Sequence, residues 1–388
     1  MSDEHSPLKL GDERVVEIGP VAHGGHFIAH TDGRTLFVRH ALPGESVRVR
    51  VTEVSRRIVR ADAIEVIQPS SDRVVAPCPW SGAGRCGGCD FQHVSLDAQR
   101  ALKTQVLRES LVRFGGLAKE DPLLATTVEE LPGGSDGLRW RTRVTWATAP
   151  DGTRGLRPHR SHEVLPVDDC LIAQTEVSRP DVLPPAHVRR HVRDRSWRLG
   201  RGDFWQVHPA LPEALVRTVL EFGMPTPGSH WVDLYSGAGL FSAFLAEAAG
   251  RSGSVDAVEA SEDGLRVARR ALHDLPQVRL HHADVAVWLP SQGGHPDGVV
   301  LDPPRAGAGG QIVRAITGLG PRTVVYVACD PVALARDVSH FAASGYRLEG
   351  LRSFDAFPMT HHFESVAVLR SAGGSGSGPN QVSGERPG

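Results

Sequence analysis

The sequence predicts a multidomain fold: a small N-terminal OB-like β-barrel over residues 8–69, a central α+β region over 70–201 and a C-terminal α/β domain over 202–370. Three observations predict it. The first part consists of short runs of alternating apolar and polar residues separated by glycine turns. The middle part holds Cys78, Cys86, Cys89 and Cys170, four of the five cysteines. From about Gly202, apolar strand-like runs alternate with helical periods, as in a parallel sheet covered by helices on both faces.

In the barrel, Arg14–Ile18, Thr35–Val38 and Ser46–Val51 alternate, with Gly24-Gly25, Asp32-Gly33 and Pro43-Gly44 as turn formers between them. Four or five strands in about sixty residues is the size of an OB-like module. Such a module is either purely structural or docks nucleic acid on an exposed face. The central region is irregular apart from a helical stretch, Leu96–Phe114, and β-rich segments around Arg139–Ala147. Arg139, Arg141 and Arg143 alternate there, as a phosphate-facing stripe or a solvated edge. Arg179–Arg201, crowded with proline and arginine, reads as a linker. In the last domain Trp231–Leu234, Ser254–Val258, Gly298–Leu301 and Thr323–Val327 read as buried parallel strands. The Gly/Ser-rich tail, 371–388, is expected to be disordered.

With 40% hydrophobic and 23% charged residues the composition is that of a globular protein. A net charge of −2 does not announce a nucleic-acid binder, so any RNA contact needs a local basic patch. No stretch is apolar enough to span a bilayer, and the first residues are polar and acidic, so a cytoplasmic address is expected. Thiols in that compartment are rarely structural disulfides. Cys86-Gly87-Gly88-Cys89 is a tight thiolate pair, and with Cys78 and Cys170 it suits either a zinc ion or an iron–sulfur cluster.

Val232-Asp233-Leu234-Tyr235-Ser236-Gly237-Ala238-Gly239 reads as a strand and a glycine-rich turn leading into a helix. The turn lets a ligand approach the backbone. Glu259, twenty residues beyond Gly239, ends the next strand and suits a ribose diol. Ser242 replaces the third glycine of the dinucleotide pattern, which favours a ligand without a pyrophosphate, such as S-adenosylmethionine. Asp302-Pro303-Pro304-Arg305 and Cys329-Asp330-Pro331 follow two further strands, at the carboxyl ends where sites of open α/β sheets gather. Cys329 therefore occupies a loop and not a core position.

These motifs, in order, resemble the bacterial RNA uracil-5 (5-methyluridine) methyltransferase family across nearly the whole chain. The resemblance rests on Ala41-Leu42-Pro43-Gly44-Glu45, the four clustered cysteines, Phe204-Trp205-Gln206-Val207, the Asp233–Gly239 loop, Asp302-Pro303-Pro304-Arg305, Cys329-Asp330-Pro331 and Phe357–Ser365. It implies a TRAM domain at the N-terminus, a [4Fe–4S] cluster on Cys78, Cys86, Cys89 and Cys170, and a Rossmann-like class I methyltransferase domain at the C-terminus. It also implies that Gln206, Tyr235, Glu259 and Asp302 contact S-adenosylmethionine alongside Gly237 and Gly239, that Cys329 is the nucleophile and that Glu364 is the general base. The substrate implied is RNA, 23S ribosomal RNA ahead of transfer RNA. Three departures stand out: Leu240 in place of an asparagine, Asp330 in place of the asparagine after the nucleophile, and a longer gap between Cys78 and Cys86. A carboxylate beside Cys329 opposes thiol ionisation unless it is paired or turned away. The competing readings are an amino-group methyltransferase, which needs no thiol, and a non-catalytic RNA-binding or assembly factor.

Overall fold

A computed structural model describes residues 8–133, 136–182 and 185–372. Five strands, β1 (Glu13–Ala22), β2 (His26–Thr31), β3 (Arg34–Arg39), β4 (Ser46–Val54) and β5 (Val59–Gln68), close into a barrel of order β1-β2-β3-β5-β4. Asp32 and Gly33, with φ of 50° and 68°, make the two-residue turn between β2 and β3. Positive φ at both positions matches the right-handed twist of the strands. Alternate residues such as Val16, Ile18, Phe27, Leu36, Val38, Val47 and Val49 fill the barrel. Phe91, Val94, Leu102 and Val106 from the next segment complete the same cluster. Glu45 is fully buried and accepts from the Leu42 and Ser70 N–H groups (2.8 and 3.1 Å) and from the Arg73 guanidinium (2.5 and 2.7 Å). It ties the end of the barrel to the chain leaving it.

The central region carries helix α1 (Leu96–Arg113) and three short strands, β6 (Val128–Glu129), β7 (Ala147–Thr148) and β8 (Arg154–Gly155). Little of the expected β-rich stretch at 139–147 becomes regular strand. Arg139, Arg141 and Arg143 form no stripe either. Arg139 has a φ of 54° and pairs with Asp169 at 2.6 Å, Arg141 Nε donates to the Arg143 carbonyl at 2.9 Å, and Arg143 lies over the Phe204 ring. The left-handed residue breaks the alternation that would align them.

The expected linker 179–201 is also corrected. It contains a hairpin, β9 (His187–Val192) and β10 (Arg195–Gly200). Val192, Trp197 and Leu199 are buried in a core cluster of the C-terminal domain. Arg189 and Arg198 are exposed, whereas Arg195 turns in to Glu247, Asp274 and the Ala271 carbonyl; five arginines in ten residues disguise the strands as a charged linker.

The C-terminal domain follows as α2 (Leu211–Gly223), β11 (His230–Leu234), α3 (Leu240–Ala249), β12 (Ser254–Glu259), α4 (Glu262–Ala271), β13 (Val278–His282), α5 (Val285–Trp288), β14 (Gly298–Leu301), α6 (Gly309–Leu319), β15 (Thr323–Ala328), α7 (Pro331–Ala343), β16 (Tyr346–Phe354) and β17 (Glu364–Ser371). The sheet order is β13-β12-β11-β14-β15-β17-β16-β6. Strands β11 to β15 are parallel, whereas β17 runs antiparallel to both its neighbours. Alternate residues face opposite layers: Val300, Val325 and Val327 lie in one apolar cluster, and Val299, Leu301 and Val324 in the other. The outermost strand is β6, contributed from the central region and parallel to β16. Strand β17 continues to Ser371, at the start of the expected tail, and 373–388 lie outside the described residues.

Candidate active site

Parallel strands β11, β12, β14 and β15 present their carboxyl ends on one side of the sheet, and antiparallel β17 begins on that side. Ala328 pairs with Ser365 at the end of the ladder, so Cys329 and Glu364 are the next positions outward on the two strands, and the Glu364 carboxyl acts on the thiol. Chain reversal at β17 is what brings together two residues thirty-five positions apart.

Beside them, the turn from β11 into α3 passes through Tyr235, Gly237 and Gly239, with φ of 61°, 54° and 78°. The left-handed φ at Gly239 would strain any other residue, and a Cβ there would also press on the Leu272 side chain at 2.6 Å. The turn is held by its own N–H groups: Ser236 donates to the Val258 carbonyl at 3.0 Å and Gly239 to the Ser236 carbonyl at 2.8 Å. The Gly237 N–H donates to Glu259 Oε2 at 2.7 Å and the Ser261 N–H to Oε1 at 2.6 Å, which fixes the Glu259 carboxylate at the end of β12. Gln206 Nε2 donates to Asp302 Oδ2 at 3.4 Å. The proposed cofactor contacts Gln206, Tyr235, Gly237, Gly239, Glu259 and Asp302 thus line the loops after β11, β12 and β14 or the approach to α2.

Asp233 was not among the expected contacts, yet it is fully buried beneath this turn. Its Oδ2 accepts from the Ser242 N–H (2.9 Å) and hydroxyl (2.5 Å), while Oδ1 has no partner among the described residues. Burial pushes its carboxyl up to about 7. Its position inside the glycine-rich motif was the available signal. Burial likewise raises Asp302 to about 7.

Glu364, 3% exposed, is pushed well above the carboxylate range by burial and then by Asp302, with Arg305 opposing. Burial and then Glu364, Asp302 and Asp330 push the Cys329 thiol up to about 12, again against Arg305. A half-buried thiol beside two carboxyl groups of raised proton affinity, Glu364 and Asp302, can lose and gain protons locally, which suits covalent and acid–base chemistry. Asp330, which raised concern in the sequence, is paired: Oδ1 caps α7 through the Val332 and Ala333 N–H groups, and Oδ2 meets His23 Nε2. Leu240, the other departure in the C-terminal domain, is buried at the start of α3.

The loop that delivers Glu364 is pinned from outside the sheet. Lys103 Nζ donates to Asp355 Oδ1 (2.6 Å) and to the Phe357 carbonyl (3.1 Å). Gln99 Oε1 accepts from the Met359 N–H at 2.8 Å, the Phe91 N–H donates to the Met359 carbonyl at 2.9 Å, and Asp90 holds His361 at 2.6 Å. Sequence reading missed Gln99, Lys103 and Asp90. For Gln99 and Lys103 the sign was polar side chains among the apolar positions of α1; Asp90 lies in the segment before it.

Cys78, Cys86, Cys89 and Cys170 line one cavity of about 250 Å³. All are free thiols. A Cβ at Gly87 would lie 2.5 Å from the His159 backbone, so the bend between Cys86 and Cys89 requires glycine. Gln92 Nε2 donates to Cys89 Sγ at 3.4 Å. Among the described residues no group of three His, Cys, Asp or Glu side chains converges tightly enough for a single metal ion. The four cysteines share the lining of this cavity, and four thiolates are a donor set common to zinc and iron–sulfur sites. Cys89 and Cys170 also pack against Trp140, Ile172 and Met359, next to the loop before Glu364.

A broader groove of about 690 Å³ runs between the central region and the β9–β10 hairpin, with Arg143, Arg154, Arg190 and Trp146 on its walls. It reaches Trp205, next to Gln206.

Two families match the chain: "TRAM domain" over residues 7–64 and "tRNA (Uracil-5-)-methyltransferase" over residues 294–372. An uncharacterized RNA methyltransferase of Streptomyces avermitilis is 43% identical, covering 94% of this chain and 99% of that one. The 23S rRNA (uracil(1939)-C(5))-methyltransferase RlmD of Chromohalobacter salexigens is 30% identical, covering 91% and 88% respectively. In fold, the chain is similar to the crystal structure of Pyrococcus abyssi tRNA (uracil-54, C5)-methyltransferase in complex with S-adenosyl-L-homocysteine. That match has a TM-score of 0.66 and 21% identity over 91% of this chain and 99% of that one.

Proposed function

Since the chain belongs to the S-adenosylmethionine-dependent RNA uracil-5 methyltransferase family, we propose that it methylates C5 of a uridine in 23S ribosomal RNA through a covalent bond between Cys329 and C6 of the base. The observation that carries this reading is the pair Cys329 and Glu364, next outward from the last pairing of β15 with β17. C5 of uracil is too weak a nucleophile to attack a sulfonium methyl. Addition of the Cys329 thiolate to C6 moves the electron pair of the C5–C6 bond to C5 and the adjoining carbonyl, which activates C5. S-adenosylmethionine supplies the electrophilic methyl group. Glu364 then takes the C5 proton, the C5–C6 double bond re-forms, and the thiolate leaves with its bonding pair. Gln206, Tyr235, Gly237, Gly239, Glu259 and Asp302 hold the methyl donor, with Glu259 on the ribose diol. Arg305 is the cation that favours the thiolate and sits exposed towards incoming RNA phosphate.

Ribosomal RNA is favoured over transfer RNA by the RlmD relative. The arginine-lined groove offers a route for a single strand, and the barrel, matched as a TRAM domain, supplies a further RNA face. A cytoplasmic address follows from that substrate; among the described residues no helix is long and apolar enough to cross a membrane. Cys78, Cys86, Cys89 and Cys170 would hold a [4Fe–4S] cluster that organises the central region and, through Met359, the loop before Glu364. Iron and sulfide near four of each per chain after anaerobic purification are expected; zinc alone would overturn the cluster.

The test of the reaction mixes protein, S-adenosylmethionine and 5-fluorouridine-substituted 23S or transfer RNA on denaturing gels. Fluorine cannot leave as a proton does, so a stable adduct that disappears in Cys329→Ala is expected with ribosomal RNA. Trapping by transfer RNA alone would reassign the substrate. Glu364→Gln should lower turnover on ordinary RNA at least about a hundredfold while the adduct accumulates; intact turnover would remove Glu364 from its role.

A further inference from the structure

The β1–β2 turn of the barrel touches the loop that carries the nucleophile. His23 Nε2 lies 2.8 Å from Asp330 Oδ2, and Asp330 Oδ1 accepts from the Val332 and Ala333 N–H groups at 3.0 and 2.8 Å. One carboxylate therefore caps α7 with one oxygen and reaches another domain with the other. Burial pushes this carboxyl up, but the bonds from His23 and Ala333 outweigh it and hold it below the ordinary range. Cys329 precedes Asp330 directly, and a charge there opposes ionisation of the thiol.

Other charged groups around the contact are already committed. Lys103 on α1 is bound to Asp355, and His361 on the loop before β17 is bound to Asp90. Burial holds the neighbouring His362 down to about 3. Arg305 bears on the thiol together with Asp302 and Glu364. His23 is thus the side chain that answers Asp330.

We propose that His23 is a positioning residue for methyl transfer: through it the barrel holds Asp330 on the start of α7, offsets its charge, and sets the Cys329 loop for attack on the uracil ring. The inference rests on the covalent reading above. It makes the barrel part of the catalytic apparatus as well as an RNA-docking module. It also accounts for an aspartate where the family more often has an uncharged asparagine.

The test measures the single-turnover rate of adduct formation between the full-length protein and 5-fluorouridine-substituted 23S RNA, with saturating S-adenosylmethionine, from pH 6 to 9. His23→Ala is expected to slow the adduct about tenfold with unchanged affinity for S-adenosylmethionine. His23→Gln, which keeps a donor, should stay within about threefold of the parent. Adding Asp330→Asn to His23→Ala should recover most of the rate, a charge-dependent rescue that a simple loss of stability would not give. A His23→Ala protein with the parent's rate, or no recovery with Asp330→Asn, would overturn the inference while leaving the covalent reading in place. Absence of any Cys329-dependent adduct in the parent protein, with cofactor still bound, would overturn both. Should His23→Ala fail to fold, a His23→Gln protein slowed as far as Asp330→Ala would overturn it equally.

Discussion

Asp233 illustrates how burial changes the chemistry of a single side chain. An unfolded chain releases this proton near pH 4, as ordinary aspartates do, whereas the folded protein keeps it until about 7. Between those values the unfolded state binds fewer protons than the native state, so stability falls as pH rises through the window. Asp233→Asn keeps an acceptor for Ser242 and removes the ionisation. Its urea midpoint should therefore change less between pH 5 and pH 8 than that of the parent; parallel changes would sink the assignment. Cys329, Glu364, Asp302 and Glu259 could be singled out as candidates in the sequence because each stands inside a recognisable motif. The charge state of Asp233 could not, because a proton affinity depends on what packs around the carboxyl, and packing is not local.

At the scale of elements, the same limit separates what was legible from what was not. The strands of the C-terminal sheet were readable because a short, continuous apolar run bounded by turn residues suits a strand buried on both faces. Hairpin β9–β10 was not, since a segment crowded with arginine looks like a charged linker when Trp197 has no visible partner. Helix α1 was readable as a helix, but its purpose was hidden. Lys103 and Asp355 are 252 residues apart, both almost fully buried, and joined at 2.6 Å. Removing one partner of such a pair leaves an uncompensated charge. Lys103→Met should cost about 3–5 kcal/mol in urea unfolding, and Lys103→Met with Asp355→Leu should recover much of it. A loss below about 1 kcal/mol, the range of an exposed pair, would show that the pair carries little.

The whole molecule is less modular than its sequence. Composition divides it into barrel, cysteine-rich segment and α/β domain, and the barrel core and the sheet do form where expected. Yet the barrel core is finished by residues of the central region, the loop before Glu364 is pinned by α1, and His23 crosses from the barrel to the nucleophile loop. Contacts of this kind join positions far apart in the chain, so no local pattern announces them.

Strand β6 has a consequence for how the protein can be cut. It covers β16 with only two residue pairs, Val128 with Ser353 and Glu129 with Phe354. Without it, the last strand would offer open N–H and C=O groups beside apolar side chains, an invitation to pair with another molecule. A fragment spanning 202–372, although it holds every proposed S-adenosylmethionine contact and both catalytic residues, should self-associate in sedimentation experiments where the full chain stays monodisperse. A monodisperse fragment would show that β16 protects itself. If the fragment does associate, excising the catalytic half for engineering would need a two-residue patch from the far side of the sequence, or a charge on β16 to blunt the bare margin.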